Sequence, residues 1–130
     1  MTMKYKLTSK TRIVNGITLY RIKALKKFSD VKKGALGGWI EKTGNLSQEG
    51  NCWVYNDAKV YGNARLYENA RVFGDAHVYG NAWVFGNARV LGNSRVYGSA
   101  QVFGNAWIYG NARIYRNAWV YEKCSCFWKC

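Results

Sequence analysis

The sequence predicts an all-β protein whose main body is a single-stranded parallel β-helix, and three observations carry that prediction. From Asn51 to Glu122 the chain divides without insertion into twelve six-residue phrases, beginning "NCWVYN", "DAKVYG", "NARLYE" and closing with "NAWVYE". Within each phrase small or aliphatic residues alternate with polar or aromatic ones, the period of a strand with two unlike faces. Between phrases stands a "GN" or "GD" bend. Self-similarity at a short fixed period is the mark of a solenoid.

The alternation also decides how the strands stack. In a meander of two-residue hairpins Tyr61 would share a face with Ala64, and Val60 with Arg65, mixing core and solvent positions on both sides. In a parallel helix the chain bends without reversing, so second-position Ala and fourth-position Val point inward together. Ala76, Val78, Ala82, Val84, Ala88 and Val90 are then core, and the third and fifth positions are surface. Three phrases per coil give about four coils, a rod about 19 Å long at the ~4.8 Å spacing of stacked strands. First-position Asn and Asp line the corners, where their side chains can form ladders from coil to coil.

A solenoid exposes sheet edges at both ends and needs a cap at each. Residues 1–50 supply a basic, β-rich leader. In "TRIVNGITLYRIKAL" the pair Asn15-Gly16 separates two β-rich runs, a signal for a type I′ hairpin. A Ser29-Asp30 turn and a Gly-rich connector follow, and "NLSQEG", with Leu46 and Gln48 at inward positions, reads as a degenerate entry hexad. Residues 51–122 form the β-helix. Residues 123–130, "KCSCFWKC", form a tail whose Phe127 and Trp128 make a short lid.

The net charge of +13 is uneven: residues 1–50 carry +8, residues 51–122 carry +3, and Lys123 and Lys129 add +2. Such a balance favours an anionic partner, whether nucleic acid, nucleotide or ribonucleoprotein. No apolar run reaches the length of a membrane span and the start lacks a signal peptide, so a cytoplasmic protein without membrane contact is expected. In that compartment Cys52, Cys124, Cys126 and Cys130 read as reduced. The last three make a poor zinc spacing with no His beside them, so no metal is expected.

The run "VYGNARLYENARVFGDAHVYGNAWVFGNARV" resembles the hexapeptide-repeat left-handed β-helix, particularly the "VYGNA" type of phage and bacterial proteins, over about 72 of the 130 residues. The resemblance implies a left-handed coil of triangular section. It also raises acyl transfer, because many hexapeptide acyltransferases use a histidine at a subunit interface and an acyl donor such as coenzyme A. Here His77 is the one histidine. It occupies the third position that Lys59, Arg65 and Arg71 fill nearby, and no loop interrupts the repeats to shape a substrate pocket. A carbonic anhydrase of this fold would need three histidines, an ice-binding solenoid would present threonine arrays, and "KKGALGG" lacks the Gly-Lys-Ser/Thr of a phosphate loop. No catalytic residue and no cofactor are therefore expected.

Eighteen residues per coil bring every third hexad onto one face. The first face carries Trp53, Arg71, Arg89 and Trp107 beside Tyr55, Phe73, Leu91 and Tyr109, a mixed set. The second pairs the cationic row Lys59, His77, Arg95 and Arg113 with the tyrosine row Tyr61, Tyr79, Tyr97 and Tyr115. Bases stack on aromatic rings and Arg holds phosphate bidentately, so these eight residues, with Lys26, Lys27, Lys32 and Lys33 of the leader, are the expected ligand-binding set. The third face carries Arg65, Trp83, Gln101 and Trp119 beside Tyr67, Phe85, Phe103 and Tyr121, apolar enough to be buried, and Trp83, Phe85, Phe103, Trp119 and Tyr121 are the expected interface of a homodimer or homotrimer. The expectation is a non-enzymatic binding protein. The phage resemblance gives it a counter-defence role, inhibiting a CRISPR-type effector or sequestering a nucleotide signal in the host cytoplasm. An assembly module or protein inhibitor without nucleotide binding is the alternative, and a hexapeptide-type acyltransferase a further one.

Overall fold

A computed structural model describes residues 3–121 and, of the tail, the backbone of Ser125–Cys126. The expected lid of Phe127 and Trp128, and the thiols of Cys124, Cys126 and Cys130, lie outside the described residues. Within them the chain winds as a parallel β-solenoid of three sheets, and each two-residue strand stacks on the strand one coil later. One sheet runs through Trp53–Val54, Arg71–Val72, Arg89–Val90, Trp107–Ile108 and Ser125–Cys126. A second runs through Arg65–Leu66, Trp83–Val84, Gln101–Val102 and Trp119–Val120. The third runs through Lys59–Val60, His77–Val78, Arg95–Val96 and Arg113–Ile114.

The core is the one the alternation predicts. Ala76, Val78, Ala82, Val84, Ala88 and Val90 are all fully buried. Paired strand is confined to the third and fourth positions of each hexad, shorter than the four-residue run of β-formers. The interval is a tight turn, closed for example by the Ala64 amide donating to the Tyr61 carbonyl at 3.3 Å. Between coils the amide ladder continues through the corners: Arg65 donates to Ala82 at 3.0 Å, Tyr67 to Val84 at 3.1 Å and Asn69 to Gly86 at 2.9 Å. Corner side chains add rungs where Asn63 donates to Asn81 and Asn69 to Asn87.

The leader is continuous with the solenoid. Strands β1 (Tyr5–Val14) and β2 (Ile17–Ala24) form the expected hairpin, with Asn15 and Gly16 both at positive φ, 52° and 79°. Strand β3 (Leu36–Ile40) pairs antiparallel with β2 and parallel with Lys59–Val60, so the third sheet has seven strands. Leu46 bridges to Leu66 in parallel, and stacking therefore starts before the first regular hexad and gives about five coils rather than four. The glycines of "KKGALGG" are strand as well as connector. A Cβ on Gly38 would stand 2.5 Å from the Ala58 carbonyl oxygen, so only glycine allows β3 to lie against the first hexads.

Polar groups of the entry hexad tie the leader down. Gln48 accepts from the amides of Lys4 and Tyr5 at 2.8 and 3.2 Å. Asn45 is fully buried and donates to the carbonyls of Gly62 and Ala64 while accepting from the amides of Glu41 and Lys42. Buried Lys4 closes the mouth of the rod. Its ammonium donates to the carbonyls of Cys52 (2.8 Å), Gly50 and Glu49 and lies 3.3 Å from the Cys52 sulfur. Burial lowers the Lys4 pKa and raises that of the Cys52 thiol, so the neutral thiol is favoured beside the ammonium.

Candidate functional site

The hairpin folds over the beginning of the expected ligand face. Leu19, Trp39 and Tyr61 are buried together, with Val14, Ile17 and Tyr79 packed around them. Trp39 is flanked by the guanidinium groups of Arg12 and Arg21 at 5.1 and 5.3 Å from its ring. Lys59 and Tyr61 are therefore buried rather than presented to a ligand, and Lys59 turns its ammonium to the Asp57 carbonyl at 2.9 Å. The usable part of this face begins a coil later than the repeat alone places it.

The tyrosine row is a continuous stack. Tyr61–Tyr79, Tyr79–Tyr97 and Tyr97–Tyr115 have ring centroids 5.1, 5.0 and 5.5 Å apart and nearly parallel planes. Each inner ring spends both π faces on its neighbours, so Tyr79 and Tyr97 meet a ligand with their edges. The expected base-stacking role does not fit that geometry. Arg95 and Arg113, in register on adjacent coils, remain exposed. The four leader lysines are exposed too, but in the loop between β2 and β3 that docks on the first face through Asp30 and Phe28. The structure does not bring them into the arginine row.

His77 lies between Lys59 and Arg95 in this row, half-buried, with Tyr61 edge-on at 6.2 Å. Its Nδ1 is buried without a hydrogen-bond partner among the described residues. Burial first, then the charges of Lys59 and Arg95, push its pKa down to about 4, so the imidazole is neutral at pH 7. The unfolded chain takes up this proton near pH 6.5, whereas the folded chain refuses it until about pH 4. Stability contributed by neutral His77 is thus complete above pH 6.5 and is lost as the pH falls through that window. Discounted for partial exposure, the loss between pH 7 and 5 is about 1 kcal/mol. Urea unfolding at both pH values should show it, and the His77→Gln variant should lack it.

On the third face Tyr67, Phe85, Phe103 and Tyr121 stack at 4.8, 4.9 and 5.3 Å. Trp83 and Trp119 stand at 42% and 62% exposure, each meeting a stacked ring edge-on, and Tyr121 is exposed beside them. This is the largest aromatic surface open to solvent among the expected sets, and Phe85 and Phe103 are already half-covered by their own stack.

The first face holds a feature the sequence reading left as mixed. Arg71, Arg89 and Trp107 occupy successive rungs, and Asn51, Asn69, Asn87 and Asn105 run beside them, enclosing a groove of about 720 Å³. Arg71 donates to the Ser29 hydroxyl at 2.8 Å and lies 3.9 Å from Asp30, which also accepts from Tyr55 at 2.8 Å. Arg89 lies over the Trp107 ring at 5.4 Å. The signal was present as an 18-residue recurrence of Asn two positions before Arg or Trp. Among the described residues no three His, Cys, Asp or Glu side chains gather to hold a metal, and no helix is long and apolar enough to cross a membrane.

Residues 64–80, 82–98 and 106–122 match the YdcK beta solenoid repeat. The chain is a repeat β-helix protein. A stretch of 61 residues is 38% identical to a protein of Escherichia coli (strain K12) described as "Uncharacterized acetyltransferase YdcK", and it covers 41% of this chain and 19% of that protein. Arg71, Arg89, Arg95, Trp107 and Arg113 fall within the matched repeats, whereas the leader that buries Lys59 and Tyr61 falls before them.

Proposed function

We propose that this protein is a non-enzymatic binding protein that engages an anionic partner, a single-stranded nucleic acid or a ribonucleoprotein, through the arginine row of its third sheet. The observation that carries this reading is the pair Arg95 and Arg113: exposed, in register on adjacent coils, and in no ion pair among the described residues. Among the described residues two ion pairs form, Arg21–Asp57 and Arg71–Asp30, both at 3.9 Å, and neither involves the arginine row. Because the tyrosines present edges, contact is through phosphates, and binding is correspondingly indifferent to sequence and sensitive to salt. The aromatic third face supports self-association, which would align the arginine rows of two or three copies. In a counter-defence role, such a surface would act by occupying a nucleic-acid-guided effector.

Fluorescence anisotropy with short oligouridylate and oligothymidylate at about 50 and 200 mM salt tests the reading, with light scattering on the same samples for self-association. The Arg95→Gln/Arg113→Gln double variant should weaken binding on the order of tenfold and reduce the salt slope by about 1–2. Absence of salt-sensitive binding to either strand would overturn it and favour an assembly module.

Acyl transfer has one support, the name of the E. coli protein whose repeats this chain resembles; His77, which stays neutral until about pH 4, is a weak base for it. The two readings separate cleanly. Transfer from acetyl-coenzyme A to small amines or alcohols that disappears in His77→Gln would replace the binding proposal with this one.

A further inference from the structure

The groove of the first sheet combines three recognition chemistries that the arginine row lacks together. Its floor is the sequence of rungs Arg71, Arg89 and Trp107, stacked in register. Successive rungs lie about 4.8 Å apart, so the guanidinium groups and the indole span roughly 10 Å. Its wall is the column of Asn69, Asn87 and their neighbours, spaced by the same step and braced by the Asn69-to-Asn87 hydrogen bond at 3.2 Å. Among the described residues that line it there is no carboxylate. Asp30 approaches only from its head, through Arg71.

Each component has a distinct use. Arg71 is held from one side by Ser29, and the Arg89 guanidinium stands over the Trp107 ring at 5.4 Å from its centre. Preorganised guanidinium groups one rung apart suit a phosphate, which accepts from both in pairs. Trp107 is 47% exposed, so beyond the part covered by Arg89 its ring is open, unlike the rings of the tyrosine row. An open indole beside cations is a platform for a flat heterocycle. The asparagine amides, each both donor and acceptor, match the edge of a base or the hydroxyls of a ribose. A volume of about 720 Å³ falls in the range of small-molecule sites.

From this juxtaposition we infer that the groove is a binding site for a nucleoside phosphate, with the phosphate on Arg71 and Arg89 and the base on Trp107. A phosphate between the two arginines lies one to two rungs, roughly 5–10 Å, from the indole, the reach of a base joined to its phosphate through a ribose. This site is separate from the arginine row of the third sheet, which takes a polyanion by charge alone.

The test follows the indole N–H resonance of Trp107 in the full chain, assigned by its loss in Trp107→Phe, during titration with adenosine and uridine monophosphates. Saturable shifts are expected, with free nucleoside and inorganic phosphate each at least about tenfold weaker, since each lacks one of the two anchors. Arg89→Gln should weaken binding by a similar factor. Arg71→Gln serves as a second reading if Arg89→Gln lowers the melting temperature. The Arg95→Gln/Arg113→Gln variant should bind nucleotide unchanged, so failure of the polyanion reading and failure of this one are distinguishable. An unmoved Trp107 resonance would overturn the inference. Equal affinity for inorganic phosphate would reduce the groove to an anion spot, and tighter binding of oligogalacturonate would make it an acidic-sugar site; either refutes the nucleotide.

Discussion

Replacing Gly98 by valine is expected to lower the unfolding free energy by about 3–5 kcal/mol, the sum of backbone strain and collision in a column that stacks backbone on backbone. Gly98 has a φ of +68°, a conformation that a β-branched residue resists. A Cβ placed there would stand 2.7 Å from the Arg116 amide nitrogen of the next coil, and that nitrogen belongs to main chain that cannot swing aside. The column Gly62, Gly80, Gly98 ends at Arg116, which takes the same left-handed conformation at φ 57° with no further described rung beyond it. Asn56 begins the column of Gly74, Gly92 and Gly110, and Glu68 stands inside the column of Gly50, Gly86 and Gly104, where a Cβ on Gly50 would meet its carbonyl oxygen at 2.5 Å. Each uses its side chain to accept from the amide of the glycine that follows, Gly74 at 3.1 Å and Gly86 at 3.3 Å. Gly98→Asn should therefore cost less than Gly98→Val, and Arg116→Gly should leave stability nearly unchanged. Urea denaturation of the three variants checks the order, and equal losses for Gly98→Val and Arg116→Gly would show that position in the column is immaterial.

That column shows what the sequence could and could not reveal. Twelve uninterrupted hexads with Ala and Val at alternate positions leave one consistent way to form a core, so the rod was legible from Ala82 and Val84 outward. The turn at Asn15-Gly16 was legible for a local reason, because two consecutive residues must adopt positive φ. Sixth-position Asn56 and Arg116 look like decay of the repeat until stacking shows that they stand at the ends of columns. Burial of Lys59 and Tyr61 was not legible, since it depends on where a hairpin some forty residues earlier comes to rest. Nor was the loss of base-stacking capacity in Tyr79 and Tyr97. Period alone puts their rings on one face, but only the rotamers decide whether the π surfaces meet each other or the solvent. The groove of Arg71, Arg89 and Trp107 was hidden by averaging: its face was classified by the sum of its residue types, whereas its chemistry depends on their order along the rod.

Trp53→Ala is expected to cost about 3–5 kcal/mol and to undock the leader while leaving the distal coils wound. By the repeat Trp53 is an outward third-position residue like Trp83 and Trp107, yet it is 1% exposed. Phe28 meets it edge-on at 5.2 Å and Tyr5 at 6.1 Å, and Gly37 leaves room for its ring to lie against β3. Truncation opens a cavity at the point where the loop between β2 and β3 rests on the rod. That loop carries Asp30, whose contacts to Tyr55 and Arg71 depend on the docking, and all four of the exposed lysines at positions 26, 27, 32 and 33. Because each coil contacts only its neighbours, loosening the first does not require unwinding the last. Limited trypsin digestion should then cut the variant first among these lysines and release the leader before the repeats are attacked, whereas the parent chain resists at the same sites. Cleavage of variant and parent with the same order and rate would mean that Trp53 holds the rod alone and that the leader is anchored elsewhere, by Lys4 and Gln48.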